Sequence, residues 1–206
     1  MAINKYDEMN ELGIDMMREI GSIGGGNAAT ALSSILNAQV NMELPRVEVL
    51  GFNAALKSLG DPEDVVAAIF VELSGEIEGV MLFIADTEFS HAVLARMIGR
   101  PGTDFLELDE IDSSALTEIG NIVIASYVTA LSTLTNVKVE LSVPQFGVNM
   151  LGGIMSLPMA MMGQYSDRIM MIKGKFKIGG QALNSHMLLL PDVKSLNVLM
   201  KKLGVE

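Results

Sequence analysis

The spacing of hydrophobic positions changes several times along the chain, and each change marks a predicted element. Two long segments, 7–36 and 110–134, repeat apolar residues every three to four positions, which is typical of helices that bury one face. The predicted N-caps are Asp7, at the start of the first segment, and Asp109, directly before the second. Apolar runs rich in β-branched residues predict strands, and shorter amphipathic segments predict further helices. The predicted strands are 40–50, 65–73, 79–85, 138–143, 168–177 and 182–190, and the predicted shorter helices are 54–59, 87–98 and 193–203.

This order of elements occurs twice, because the sequence contains an internal duplication. Identical residues recur at an offset of 99 positions between residues 15 and 45, where random pairing gives about two matches. The first members of these pairs are Glu19, Ile20, Gly21, Ile23, Thr30, Ala31, Leu32, Ser33, Asn37, Val40 and Pro45. We therefore predict a single α+β domain over residues 1–206, made of two repeats at about 7–99 and 106–204. The predicted fold has pseudo-twofold symmetry and a mostly antiparallel sheet.

A polar stripe runs along the second long helix. Ser114, Glu118 and Asn121 are spaced so that they lie on one face, because helical residues three and four apart are neighbours. A single Glu and Asn on a helix commonly form nothing more than a solvated surface. The Glu of this stripe also occurs in the first copy, as Glu19, with the same Ile-Gly after it and a proline at the same distance. This repetition favours a functional interpretation.

Three consecutive glycines, Gly24 to Gly26, interrupt the first long helix. Each lowers helix stability by up to about 1 kcal/mol relative to alanine, so we predict that they allow close packing against the duplicate helix. A nucleotide-binding loop is disfavoured, since no strand precedes these glycines and no Gly-Lys-Ser/Thr follows them. Met150 to Met162 is rich in methionine, which suits either a buried strand and helix or a surface that adapts to a partner.

Composition excludes several classes of function. The formal net charge of −11 argues against nucleic acid and anionic lipid as bulk electrostatic partners. The chain has no cysteine and two histidines, which excludes thiolate chemistry and disfavours a histidine metal cage. The uncharged stretch 147–163 is too short and too interrupted for a membrane span, and acidic residues near the N-terminus break any signal-like apolar run. We expect a cytoplasmic protein.

The repeated polar residues define a specific pattern. This pattern resembles the active-site pattern of the CheC, CheX and FliY phosphatases. It consists of Ser or Asp, three residues, Glu, two residues, Asn, twenty-two residues and Pro. The second copy matches throughout, as Ser114, Glu118, Asn121 and Pro144. The first copy, Asp15, Glu19, Ser22 and Pro45, departs at one position, because Ser22 stands where the pattern has Asn. Two copies that cover nearly the whole chain resemble CheC rather than the other two proteins.

The resemblance implies a function, which is hydrolysis of the aspartyl phosphate of the chemotaxis response regulator CheY. It implies that Asn121 orients the attacking water and that Glu118 contacts a receiver lysine, with Ser114 and Pro144 in supporting roles. The first site is then degenerate at Ser22. No cofactor of the chain's own is implied, since the phosphorylated receiver brings Mg²⁺, and CheD, a receptor-modifying deamidase, is an implied partner.

Two alternatives stay open at this point. A non-catalytic scaffold of the same fold, similar to the flagellar switch protein FliM or serving to bind CheD, would not need the Glu and Asn of the second copy. A paired-carboxylate hydrolase would use Glu118 with Asp112, or Glu19 with Asp15, although no second acid is duplicated.

Overall fold

The computed structural model describes residues 11–162 and 168–205, and the predicted helix start at Asp7 lies outside them. The helices are α1 (Glu11–Ile35), α2 (Phe52–Leu59), α3 (Thr87–Met97), α4 (Glu110–Thr135), α5 (Leu151–Met162) and α6 (Val193–Lys202), with a short 3₁₀ turn at Phe105–Glu107. The strands are β1 (Val40–Met42), β2 (Arg46–Gly51), β3 (Val65–Gly75), β4 (Gly79–Ala85), β5 (Val139–Leu141), β6 (Gln145–Met150), β7 (Arg168–Ile178) and β8 (Gln181–Pro191).

Within the described residues, the eight strands form one sheet in which every pairing is antiparallel. The order is β1-β7-β8-β4-β3-β5, with β2 also on β7 and β6 also on β3. The predicted α+β class with a mostly antiparallel sheet is confirmed. The sheet is pseudo-symmetric about the β4–β8 pair, because β3, β5 and β6 on one side correspond to β7, β1 and β2 on the other.

The two halves exchange strands. The first half supplies β1 and β2, yet both pair with β7 of the second half, and β5 and β6 pair with β3 of the first. Both long helices end before a left-handed asparagine, Asn37 (φ 44°) and Asn136 (φ 52°), which are one repeat apart. Asparagine tolerates this conformation better than most residues, which explains why it recurs where each helix stops.

Both faces of the sheet are covered by helices. The residues of β3 and β4 alternate between two cores, since Ile69 and Phe83 face one side while Phe70 and Leu82 face the other. The long helices α1 and α4, with α3 and α6, bury the first face. The shorter α2 and α5 cover the second. This arrangement leaves the outward side of α1 and α4 as a candidate binding surface.

Each half contains a β-bulge that the sequence did not reveal. Residues 40–50 do not form one strand, as predicted, because β1 and β2 are separated by Glu43 to Pro45. Three residues there face two on β7, since Met42 pairs with Phe176 and Arg46 pairs with Lys173. Proline has no N–H for the ladder, so the extra residue and Pro45 are accommodated together. Likewise, the predicted strand 138–143 is shortened to β5 by the equivalent bulge at Ser142 to Pro144.

The glycine run of α1 fits the predicted role only in part. A Cβ on Gly24 would lie 2.8 Å from the Cα of Tyr127 on α4, so this glycine does allow the duplicate helices to pack closely. Gly25 instead accommodates the Met42 side chain from β1. The prediction was wrong for Gly26, which is exposed and has no neighbour within 4 Å of a built Cβ.

These differences predict opposite effects of alanine at neighbouring positions. We expect Gly24→Ala to destabilise the protein by about 1–3 kcal/mol, since the methyl group meets the Cα and the ring of Tyr127 on α4. Gly26→Ala should stabilise it by about 0.5–1 kcal/mol, because alanine favours the helix and meets open space. Urea unfolding of the two variants measures both changes. Shifts of the same sign would contradict this description of the helix packing.

Within the described residues, α4 is long and apolar enough to cross a membrane, but 56% of its apolar stretch is buried in the protein. Ile119, Val123 and Leu131 lie in the core against the sheet. The apolar residues of α4 are therefore used for packing within the fold.

The methionine-rich segment, Met150 to Met162, has features of both predicted roles, a buried element and a partner surface. Leu151, Met155 and Pro158 are buried, and the first two pack against the second face of the sheet. Leu157 and Met159 are exposed on α5. The segment thus contributes to the core and also leaves apolar side chains at the surface.

Candidate active site

The second copy of the pattern lies on the outward face of α4. Ser114 and Glu118 are exposed and Asn121 is half-buried, while Ala115, Ile119 and other apolar residues between them are buried. Glu118 and Asn121 are separated by about 4.5 Å along the helix axis. None of the hydrogen bonds or ion pairs found among residues 11–162 and 168–205 uses the side chains of this stripe. Their polar groups are thus available to a partner.

The start of α4 is fixed by a capping box around the predicted N-cap Asp109. The Asp109 side chain accepts from the backbone N–H groups of Ile111 and Asp112, and the Asp112 side chain accepts from the Asp109 N–H. Arg100 adds ion pairs to both carboxylates. The hydrogen bond from the Asp112 backbone, followed by the Arg100 contact, lowers the pKa of Asp109 to about 2. The helix that carries the stripe therefore begins at a charged and well-anchored end.

A glycine sets the depth at which the stripe lies on the sheet. A Cβ on Gly120, next to Asn121, would lie 2.5 Å from the Ile69 side chain on β3. Gly21, next to Ser22, has the same relation to Ile172 on β7 at 3.3 Å. Both long helices thus lie close to the sheet beside the position that distinguishes the two sites.

The first copy differs from the second in more than Ser22. Asp15 and Glu19 are exposed on α1 and Ser22 is half-buried, which matches the placement of the second stripe. However, Asp15 forms an ion pair with Arg18, one turn along the helix. The residue equivalent to Arg18 is Thr117, whose hydroxyl bonds to the Ser113 carbonyl instead. The first stripe therefore carries a cation that the second lacks.

The prolines of the pattern belong to the two bulges. Pro45 is buried, and its Cγ would lie 3.3 Å from a Cβ on Gly21, so the first bulge packs against α1 beside Ser22. Pro144 is half-buried in the equivalent bulge between β5 and β6. The contact with the helix concerns Pro45 of the first site, and the supporting role of Pro144 at the second site stays a prediction. The predicted support by Ser114 stays a prediction, since its hydroxyl makes no hydrogen bond within the described residues.

The paired-carboxylate alternative is not supported by this geometry. Asp112 is 1% exposed and is occupied by Arg100 and by the Asp109 N–H, so it serves as a structural cap. Asp15 is paired with Arg18. Within the described part of the chain, no group of three or more His, Asp or Glu residues is arranged to hold a metal ion.

Comparison with known proteins assigns the family. A sequence profile of the CheC-like family matches residues 111–148, the segment that carries the second stripe and its proline. The CheY-P phosphatase CheC of Bacillus subtilis is 32% identical over 203 residues, which is 97% of this chain and 97% of that protein. The chain belongs to the CheC-like family.

Solved structures with the same fold extend this comparison. FliY from Thermotoga maritima superimposes with a TM-score of 0.75 at 22% identity, covering 96% of this CheC-like chain and 98% of that one. CheX in the CheX-CheY-BeF3-Mg complex from Borrelia burgdorferi gives a TM-score of 0.53 at 16% identity, covering 87% and 99%. At these identities the likeness concerns the fold alone.

Two features of this CheC-like site were missed at the level of sequence. Gly21 and Gly120, which allow the long helices to pack closely on the sheet, belong to the repeated identities. Their packing role depends on Ile172 and Ile69 of distant strands, which the sequence does not place beside them. Leu44 and Val143, the apolar residues at the bulges, differ from each other and so do not belong to the repeated identities. Their common position directly before each proline was the available signal.

Proposed function

We propose that this chain hydrolyses the aspartyl phosphate of a CheY-like response regulator, and that the second stripe carries most of the activity. The observation that carries the proposal is the pair of exposed Glu118 and half-buried Asn121 on the outward face of α4, whose side chains make no hydrogen bond or ion pair within the described residues. Membership of the CheC-like family and the 32% identity to a CheY-P phosphatase support it.

The reaction needs a water molecule held in line with the scissile phosphorus–oxygen bond. Phosphoryl transfer depends mainly on positioning and electrostatics, and a carboxamide that orients the attacking water is an established device. The Asn121 amide both accepts and donates hydrogen bonds, so it can fix that water in both position and orientation. Water adds to phosphorus as the bond to the receiver's aspartyl oxygen breaks, which releases inorganic phosphate and the free carboxylate.

Glu118 has a different role, because it lies one turn from Asn121 and is more exposed. A carboxylate at this position can form a charge-assisted contact with the receiver's active-site lysine. That contact would fix the register in which Asn121 enters the receiver site. Magnesium belongs to the phosphorylated receiver in this proposal, and the chain needs no cofactor of its own. The receiver contact is further supported by the CheX-CheY assembly of a protein with the same fold.

The proposal predicts how Glu118→Ala behaves towards a phosphorylated receiver. We expect both weaker binding and slower phosphate release, because the register contact is lost together with a charged group. Binding is measured with beryllofluoride-activated receiver, and release is measured under single-turnover conditions. Glu63→Ala, also an exposed glutamate but following α2 on the other face of the sheet, is the control and should leave both quantities unchanged. An unchanged Kd and rate for Glu118→Ala would contradict the docking role.

The alternative is a non-catalytic scaffold that binds a receiver or CheD. The fold does not decide between scaffold and enzyme, but a scaffold gives no reason for an unused Glu and Asn at these two positions.

CheD stays a predicted partner, and the exposed residues of α5, Leu157 and Met159, are a candidate surface for it. Sedimentation of the chain with purified CheD tests this, and loss of any complex in Met159→Ser would locate the contact.

Two further predictions accompany the proposal. We infer a single domain of two repeats, at about 7–99 and 106–204, supported by the exchange of edge strands between the halves. We also infer a cytoplasmic protein, in keeping with a receiver as substrate and with the packing of α4 into the core.

A further inference from the structure

Exposed apolar residues recur at equivalent positions in the two halves. Leu44 is 75% exposed and Val143 is 83% exposed, and they lie 99 residues apart at the tips of the two bulges. Leu12 is 53% exposed and Ile111 is 55% exposed at the same offset, each near the start of a long helix. Exposure of large apolar side chains to water is unfavourable, so its repetition at matched positions requires a reason.

The helix positions continue the polar stripes. Ile111 precedes Glu118 by seven residues, which is two turns, so it lies within about 20° of the same face and about 10 Å away along the axis. Leu12 has the same relation to Glu19. A third exposed pair, Ile35 and Leu134, also recurs at this offset, but Leu134 points about 160° away from Glu118. Direction therefore selects Leu12 and Ile111 on the helices and leaves out Ile35 and Leu134.

The bulge positions lie at the other end of each stripe. Pro45 packs against Gly21, so Leu44 lies on the chain segment beside Ser22. Val143 occupies the same register in the second half, since Leu141 pairs with Leu73 and Gln145 with Phe70 around the bulge. Bulges commonly redirect a side chain next to an active site.

We propose that Ile111 and Val143 dock against apolar surface of the receiver on either side of its phosphorylated aspartate, and that Leu12 and Leu44 do so at the first site. This inference rests on the proposed function. A standard protein–protein interface covers about 800 Å² per partner, which corresponds to a disc of about 16 Å radius. A receiver seated over Asn121 thus covers Ile111, about 15 Å away along the helix. It also reaches the bulge, because β5 and β6 on either side of the bulge contact α4.

The consequence is a division of roles within the site. The apolar pair supplies binding through burial of surface that water otherwise contacts, while Asn121 acts on the reacting water. Removal of either apolar side chain then weakens the complex equally before and during reaction, so KM rises while kcat stays the same. Truncating a side chain that becomes buried on binding should weaken the affinity by about fivefold to thirtyfold.

The test compares Ile111→Ala and Val143→Ala with Leu134→Ala, an exposed apolar residue on the opposite side of α4. Kd is measured with beryllofluoride-activated receiver, and kcat and KM are measured for dephosphorylation. We expect Kd and KM to rise by the stated factor for Ile111→Ala and Val143→Ala, with kcat and the urea midpoint unchanged. Leu134→Ala should match the unmodified protein.

An unchanged Kd for both variants would overturn the docking surface even if the protein is an active phosphatase. If the chain binds activated receiver without hydrolysing its phosphate, the proposed function fails, and a raised Kd for both variants still supports the docking surface. If light scattering finds a dimer that Ile111→Ala or Val143→Ala converts to monomer while Kd for receiver stays constant, a second copy occupies this surface and the inference is wrong.

Discussion

Asn121→Ala should lower the rate of receiver dephosphorylation by about 10²–10³-fold, in line with the loss of one oriented hydrogen-bonding group at a reacting centre. The fold should persist, because the side chain is half-buried and makes no hydrogen bond within the described residues. Binding of activated receiver should change little, since Glu118 remains. Single-turnover phosphate release measures the rate, and a urea titration verifies that stability is retained.

A second substitution at the same position sharpens this prediction. Asn121→Ser reproduces the residue of the first site on the helix of the second. A serine hydroxyl is held about one bond closer to the backbone than an asparagine amide, and a misplacement of about 1 Å costs on the order of 10²-fold. We therefore expect Asn121→Ser to be nearly as inactive as Asn121→Ala. Retention of half the activity or more by Asn121→Ala would contradict the role assigned to this residue.

The second large effect is a gain of activity at the first site. In the Asn121→Ala background, Ser22→Asn should raise phosphate release by at least about tenfold, because the amide is placed beside Glu19 on an equivalent helix face. Gly21 seats this part of α1 on Ile172 as Gly120 seats α4 on Ile69. Ser34→Asn, exposed on the same helix about three turns further along, is the matched control and should have no effect.

The neighbouring ion pair provides a further control on this gain. Arg18 and Asp15 have no counterpart at the second site, where Thr117 and Ser114 stand. If Ser22→Asn alone gives a small gain, adding Asp15→Ser and Arg18→Thr, which reproduce the residues of the second site, should increase phosphate release further. The account of the two sites is wrong if Asn121→Ala alone stays active and Ser22→Ala then removes the remaining activity.

Local chemistry made much of this structure predictable from the sequence. Asp109 is the predicted N-cap of α4, and its side chain accepts hydrogen bonds from the first turn of that helix. The hairpin of β3 and β4 follows from two apolar runs that share a short connection. The polar stripe of α4 was also accessible, because the direction of helical side chains depends only on spacing.

Features that depend on contacts between residues far apart in the sequence could not be predicted from local patterns. The pairing of β1 and β2 with β7 joins segments more than 100 residues apart, and no local pattern specifies it. The bulges arise because proline and one additional residue must be fitted to a partner strand that the sequence does not identify. Gly24 and Gly26 are indistinguishable in sequence, yet one contacts α4 and the other faces open space.

The same limit applies to the site. The repeat identified Glu118, Asn121 and their first-half equivalents, because identical spacing in two copies is visible without a structure. Leu44 and Val143 became candidates only when their exposure on the two bulges was known. Asp112 was considered as a catalytic partner of Glu118, and only its burial beside Arg100 identified it as a cap.

Turnover of a phosphorylated receiver by substoichiometric amounts of this chain tests the central claim most directly. A purified CheY-like receiver is phosphorylated with a small-molecule donor, the donor is removed, and loss of aspartyl phosphate is followed with one chain per roughly fifty receivers. Catalysis should bring all of the receiver to the unphosphorylated state faster than its spontaneous decay, and phosphate should appear in equal amount. A receiver that binds the chain but decays at its spontaneous rate, or more slowly, would contradict the account and identify a scaffold.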